Sequence, residues 1–264
     1  HYVRDLTRAI TTPHPDYLKL GVKVDGEYVQ LNANLLQIEN EYYSFIRPKR
    51  VTRSGERPTK ALRRGGVQYV EMRSLDVSPF DPVGVNQNKL RFLEAFAVFC
   101  VLRESRPIEA SEQSELDGNS ALVARDGRRP GLRLRHEGRD VSLRDWALEI
   151  VDSMRGVCDL MDDGDQQRSY STALEVQAAK IHDLSLTPAA RTLHEMRTNE
   201  ESFFHFALRM SAAHKSYFLD LYSPNESRQD DFAQAAEASL GEQVRIEATD
   251  DVSFEEYLAR YFAA

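Results

Sequence analysis

The spacing of apolar residues changes along this chain, from a two-residue period near the start to a helical one after about residue 86. Val3, Leu6 and Ile10 have helical spacing and predict a short helix over Tyr2–Ile10, closed by the Thr-Thr-Pro13 stop. Gly21-Val-Lys-Val and Glu27-Tyr-Val-Gln-Leu then flank Asp25-Gly26, the signature of a type I′ hairpin. Leu35–Tyr43 reads as an acidic strand whose alternation places Gln37, Glu39, Glu41 and Tyr43 on one face. Arg53–Arg64, with Gly55 and Pro58, reads as a loop of the kind that serves as a lid. A second strand over Val67–Arg73 would place Val67, Tyr69, Glu71 and Arg73 on a shared face.

From about Asn88 to Arg103 the chain is apolar almost all round, which predicts a buried helix. Residues 105–140 are polar and glycine-rich around Asp126–Gly131, and predict a loop with at most one short strand at Leu132–Leu134. Ser142-Leu-Arg-Asp145 predicts a capped helix through Met161, with Leu143, Trp146, Ile150, Met154 and Val157 inside. Helices follow over Ser171–His182, over Pro188–Met196 with Thr187 at the N-cap, and over Glu201–Leu221. Beyond Pro224 come a polar helix near Asp231–Leu240 and a last one capped by Ser253 and Glu256. Strands first and helices after predict an α+β fold, divided as a sheet portion over 1–104 and a helical portion over 105–264.

Composition narrows the function. The net charge of −8 argues against nucleic-acid or anionic-membrane partners, in spite of the local run Arg47, Lys49, Arg50, Arg53, Arg63 and Arg64. No apolar run approaches the roughly 20 residues that span a bilayer. Cys100 and Cys158 both stand in apolar helical contexts and read as buried, unreactive thiols of a reduced cytoplasmic protein. The seven histidines show no metal-ligand spacing, and Gly65-Gly66 reads as a turn before a strand rather than a phosphate cradle. The chain starts at His1 without a signal-like segment, which reads as a fragment, a processed piece or half of a split enzyme.

What remains is the stretch 35–73, with carboxylates able to hold Mg2+ beside guanidinium groups able to bridge phosphate oxygens. Taken alone, Glu71 and Arg73 could equally be a cross-strand ion pair on a solvated sheet face, Tyr43 a half-buried strand aromatic, and the basic run a solvated loop.

The strings QIENEYYSFIRPKRVTRSGERP, GGVQYVEMRSLDVSPFDPVGV and KLRFLEAFAVFCVL resemble the proteobacterial type of glutamate–cysteine ligase. The resemblance runs closely from Tyr2 to Leu102 and loosely beyond, and it is to the C-terminal half of that enzyme. It implies a glutamine-synthetase-like α+β fold and an ATP- and Mg2+-dependent joining of L-glutamate to L-cysteine. By the same resemblance Glu71 of YVEMRS is a Mg2+ ligand and Arg73 contacts the transferred phosphate. Tyr43 belongs to the cysteine pocket, and Arg47, Lys49, Arg50 and Arg53 face the nucleotide or substrate. Glu39 and Glu41, which alternation sets on the face of Tyr43, either line the site or pair with the basic loop. Most metal-binding carboxylates would come from an N-terminal half, so the chain alone is expected to be a partner-dependent piece.

Overall fold

The computed structural model describes residues 2–222 and 226–263. In chain order the elements are α1 (Tyr2–Ala9), α2 (Pro15–Leu20), β1 (Lys23–Val24), β2 (Glu27–Tyr28), β3 (Ile46–Lys49), α3 (Pro58–Gly65), β4 (Tyr69–Met72), α4 (Gln87–Leu102) and α5 (Ala110–Asp126). They continue with β5 (Arg133–His136), β6 (Arg139–Ser142), α6 (Leu143–Met161), α7 (Ser169–His182), α8 (Pro188–Thr198), α9 (Phe203–Leu221), α10 (Glu226–Ala248) and α11 (Phe254–Ala263). The fold is α+β and mostly helical, with three separate antiparallel pairs among the described residues, β1–β2, β3–β4 and β5–β6. Pro224, the expected break before the last helices, lies outside the described residues.

The chain groups into two compact units, His1–Asp76 with Pro224–Ala264, and Val77–Ser223. The division expected at 104/105 falls between α4 and α5, inside the second unit.

In the first unit the β1–β2 hairpin forms as expected, with Asp25 and Gly26 both at positive φ (50° and 87°), the conformation a type I′ turn demands. Two expectations fail beside it. Leu35–Tyr43 is not a strand: it runs irregularly into a 3-10 turn at Glu39–Glu41, and the pairing partner of β4 is Ile46–Lys49. Arg53–Arg64 is not a loop throughout, because Pro58 opens α3 at its first turn, and Ala61 and Leu62 are buried. Proline suits that position since its missing N–H is an orphan there anyway.

The core of the second unit is a three-helix contact. Ala95 and Phe99 of α4, Val151, Met154 and Cys158 of α6, and Leu174 and Ala178 of α7 form one buried cluster. The i, i+3, i+7 spacing of Val151, Met154 and Cys158 makes this stripe. Ser142 starts α6 by accepting the Asp145 N–H, and Asp162 at its far end accepts the N–H groups of Tyr170 and Ser171 at 2.7 and 2.9 Å, which ties in the first turn of α7.

Helix α4 is less enclosed than its composition predicts. Only Ala95 and Phe99 are buried, while Val101 is 83% exposed and Leu90 and Leu102 are more than half exposed. Nor is 105–140 a loop. Asn119 of α5 donates to the Arg135 carbonyl at 2.7 Å and accepts from the Arg135 N–H at 2.8 Å, so a side-chain amide holds this helix against β5. Cys158 is buried as expected, whereas Cys100 is exposed.

Candidate active site

The site is built on the β3–β4 pair. Pro48 lacks an N–H, which a two-stranded ladder tolerates because each strand has a free edge. Cross-strand register sets Arg47 opposite Glu71 and Lys49 opposite Tyr69. The Arg73 N–H continues the ladder to the Phe45 carbonyl at 2.8 Å. Two-residue alternation therefore sends Arg47, Lys49, Glu71 and Arg73 to one face.

Their contacts are close. Arg47 is 7% exposed. Its Nε and one terminal nitrogen donate to Glu71 Oε2 at 2.9 and 2.7 Å, and the other terminal nitrogen donates to the Tyr42 carbonyl at 2.7 Å. Lys49 Nζ stands 3.6 Å from the same oxygen, and an Arg73 terminal nitrogen stands 3.7 Å from Oε1. The Arg73 guanidinium lies over the Tyr43 ring at 4.4 Å from its centroid, and that of Arg47 lies 5.4 Å from it. The hydrogen bond from Arg47 holds the Glu71 carboxyl below its ordinary value, with the charges of Lys49 and Arg73 adding to it and partial burial opposing. Burial pushes the neighbouring Tyr2 phenol up, against the pull of Arg47.

Three cations around one carboxylate leave an excess of positive charge, which invites an anion with several oxygens. A resident Mg2+ does not fit these residues by themselves. Both oxygens of Glu71 already face cations, and no group of three or more His, Cys, Asp or Glu side chains that could hold a metal exists among the described residues.

The remaining expected site residues are elsewhere. Glu39 is 3% exposed and, of its two expected roles, takes the pairing with the basic loop. Its Oε1 accepts from Arg57 Nε at 2.9 Å and from the Thr59 hydroxyl at 2.7 Å, while its buried Oε2 has no hydrogen-bond partner. The Arg57 guanidinium sits 5.6 Å from the Tyr261 ring of α11. Burial pushes the Tyr261 phenol up, and the nearby Glu39 charge adds to this although no hydrogen bond reaches Oε2. Glu41 accepts from the Gln37 N–H at 2.6 Å and is exposed. Arg50 is spent on the end of α3, where it donates to the Gly65 and Gly66 carbonyls. A Cβ on Gly65 would stand 2.6 Å from the Arg50 guanidinium carbon, and Gly66 has φ +71°, so the Gly-Gly pair is a helix end fitted to Arg50. Arg53 joins a turn in which its N–H meets Glu56 at 2.9 Å. Arg57 and Thr59 are the residues that sequence reasoning passed over, and Pro58 directly after Arg57 is the helix-start signal that would have marked them.

Cationic side chains around one carboxylate and one tyrosine, on an antiparallel pair in an α+β fold, make a face whose charge suits an anion. Comparison with known proteins makes this specific. Residues 1–123 match the sequence profile of the glutamate–cysteine ligase family. The glutamate–cysteine ligases of Pseudomonas paraeruginosa and Alcanivorax borkumensis are each 46% identical to it, over 100% and 99% of this chain and 50% of their own lengths. A crystal structure of the Francisella tularensis glutamate–cysteine ligase in complex with AMP superimposes with a TM-score of 0.90 at 33% identity, covering 99% of this chain and 52% of that one. The chain belongs to the glutamate–cysteine ligase family and spans about half the length of the curated relatives it matches. The likeness extends past Leu102 through the helical remainder, further than the quoted strings implied.

Proposed function

We propose that this chain supplies the phosphate-facing part of an ATP-dependent ligase that joins the γ-carboxylate of L-glutamate to the amine of L-cysteine, the first step of glutathione synthesis. The carboxylate attacks the γ-phosphorus of ATP, which releases ADP and leaves γ-glutamyl phosphate. The cysteine amine then attacks the acyl carbon, loses a proton, and expels inorganic phosphate as the peptide-like bond forms. A carboxylate is a poor electrophile until its oxygen becomes a phosphate leaving group, so the chain's task is to hold that phosphate.

The observation that carries this reading is the cross-strand register that gathers Arg47, Lys49 and Arg73 around Glu71. Arg73, packed on Tyr43 rather than locked bidentately to a carboxylate, is the cation free to follow charge as it builds on the transferring group. Arg47 and Lys49 hold the face positive, and Tyr43 forms the wall on the cysteine side. Glu71 would serve as one ligand of the Mg2+ that accompanies the nucleotide only where the nucleotide's phosphates take over the cations its oxygens now face, with the other ligands supplied from outside this chain. That division is favoured by the single carboxylate at the site. It implies that these 264 residues act only together with the sequence that the relatives carry beyond the matched half. The apolar residues left exposed on α4 suit such a partner surface. No helix among the described residues is long and apolar enough to cross a membrane. The two free thiols suit a cytoplasmic setting.

The test is γ-glutamylcysteine formation, with ADP release, by the assembled enzyme carrying Arg73→Lys or Glu71→Gln. An ammonium cannot reproduce the guanidinium fork, and the amide keeps the shape of Glu71 without its charge. Both changes are expected to lower turnover at least tenfold while leaving the circular-dichroism spectrum intact. Wild-type turnover in both variants would refute the assignment.

A further inference from the structure

Helices α4, α6 and α7 and the turn before β5 enclose a half-open cavity of about 590 Å³ in the second unit, a size typical of small-molecule sites. Phe92, Leu132, Leu143, Ile150, Val151 and Ile181 make its apolar wall. The polar part of the lining is one-sided. It contains Arg129, Arg144, Lys180 and His182 and not one Asp or Glu, in a chain whose 42 carboxylates outnumber its 34 lysines and arginines.

Lys180 is the central cation. It is half-buried on α7, its ammonium donates to the Gln177 side-chain oxygen at 2.9 Å, and no carboxylate lies within ion-pair distance among the described residues. Burial pushes its pKa down, Lys89 and Arg191 push the same way, and Asp81 opposes them. Asp81 itself is engaged by the Asn86 amide at 3.1 and 3.2 Å. An ammonium in this position is under-compensated, so an arriving anion would be held more strongly than on a solvated surface. Arg144, at the start of α6, likewise has no ion-pair partner among the described residues.

We propose that this cavity binds an amphipathic monocarboxylate, a medium-chain fatty-acid anion whose apolar body lies along Phe92, Ile150 and Ile181 and whose carboxylate meets Lys180 and Arg144. An apolar wall alone would accept any hydrocarbon, and a cationic rim alone any anion; the combination selects a molecule with both parts. Every lining residue belongs to the second unit, and the proposal does not depend on the ligase reading.

The experiment is calorimetric titration of the 264-residue chain with octanoate, decanoate and dodecanoate below their micelle concentrations, with decan-1-ol and decylammonium as controls. One saturable site is expected, tightening about fourfold per methylene until the cavity is filled. Decanoate should bind at least roughly tenfold more tightly than the alcohol or the ammonium. Lys180→Gln and Arg144→Gln should each erase most of that preference without altering decanol binding, with the circular-dichroism spectrum retained. Ala147→Phe, which projects into the cavity, should abolish binding with the circular-dichroism spectrum retained. Failure of decanoate to saturate, equal binding of decanol, or indifference to both charge substitutions would overturn the proposal.

Discussion

Replacing Glu39 by alanine tests whether this carboxylate belongs to the scaffold or to the substrate pocket. The carboxylate ties the 3-10 turn to the first turn of α3 through Arg57 Nε and the Thr59 hydroxyl, and all three groups are largely buried. Removing one partner of a buried pair costs about 3–5 kcal/mol, because the guanidinium left behind has neither water nor a counter-charge. Two terms reduce that figure. The unpartnered Oε2 is lost as well, a relief of about 1 kcal/mol, and the Tyr261 ring still covers Arg57. The net expectation is about 2–4 kcal/mol for Glu39→Ala. Read by hydrogen exchange at the amides of Ala61 through Gly66, this is a roughly 30- to 700-fold faster exchange in the first unit. Glu39→Gln retains an acceptor for Thr59 and should fall between the two. Exchange within threefold of the parent chain in Glu39→Ala would refute the reasoning and return Glu39 to the site-lining role that its place beside Tyr43 suggests.

Other consequences follow from single contacts. Met154 is fully buried where α4, α6 and α7 meet, so Met154→Ala should lower the stability of the second unit by about 2–5 kcal/mol in urea titrations followed by Trp146 fluorescence. Glu71 has its pKa lowered from an ordinary value of 4.5, so the stabilisation it contributes is complete above 4.5 and lost as pH falls through the folded value. A carboxylate carbon resonance of Glu71 with its midpoint below 4.5, returning toward 4.5 in Arg47→Met, is the expected NMR result. Cys100 is exposed and Cys158 buried, so one thiol should react with an aromatic disulfide in the folded chain and none should react readily in Cys100→Ser. Partial burial raises the Cys100 pKa, so that rate should still be climbing near pH 9.

Where one local signal decided the structure, the sequence was readable. Asp25-Gly26, Ser142 with Asp145, and Thr187-Pro188 each stand where the turn or helix start occurs. The alternation in YVEM placed Glu71 and its neighbours on one face because β4 pairs with a strand whose register is fixed by the same alternation. The failures came where a distant side chain settled the matter. Leu35–Tyr43 looks like a strand, but Glu39 finds a guanidinium and a hydroxyl on α3, eighteen and twenty residues on, and the turn that brings it there excludes a ladder. Helix α5 carries no strong apolar stripe, and polar ties hold it to the β5–β6 hairpin: Asn119 completes the edge of β5 and Glu115 accepts the Gly138 N–H. Arg50 sits within a basic run that suggests a ligand, yet its partners are two carbonyls at the end of α3. Charge patterns in sequence do not distinguish a side chain that meets a ligand from one that caps a helix.

The central claim is that the Arg47–Lys49–Glu71–Arg73 face is one part of a ligase site and needs the rest of the family's sequence to work. It is tested most directly by measuring γ-glutamylcysteine from ATP, Mg2+, glutamate and cysteine. The purified 264-residue chain is assayed alone and then with the complementary half of a relative supplied as a separate polypeptide. No product alone, product on mixing, and loss of that product with Glu71→Gln is the predicted result. Sustained synthesis by the chain alone, or undiminished synthesis by the mixed Glu71→Gln enzyme, would contradict it.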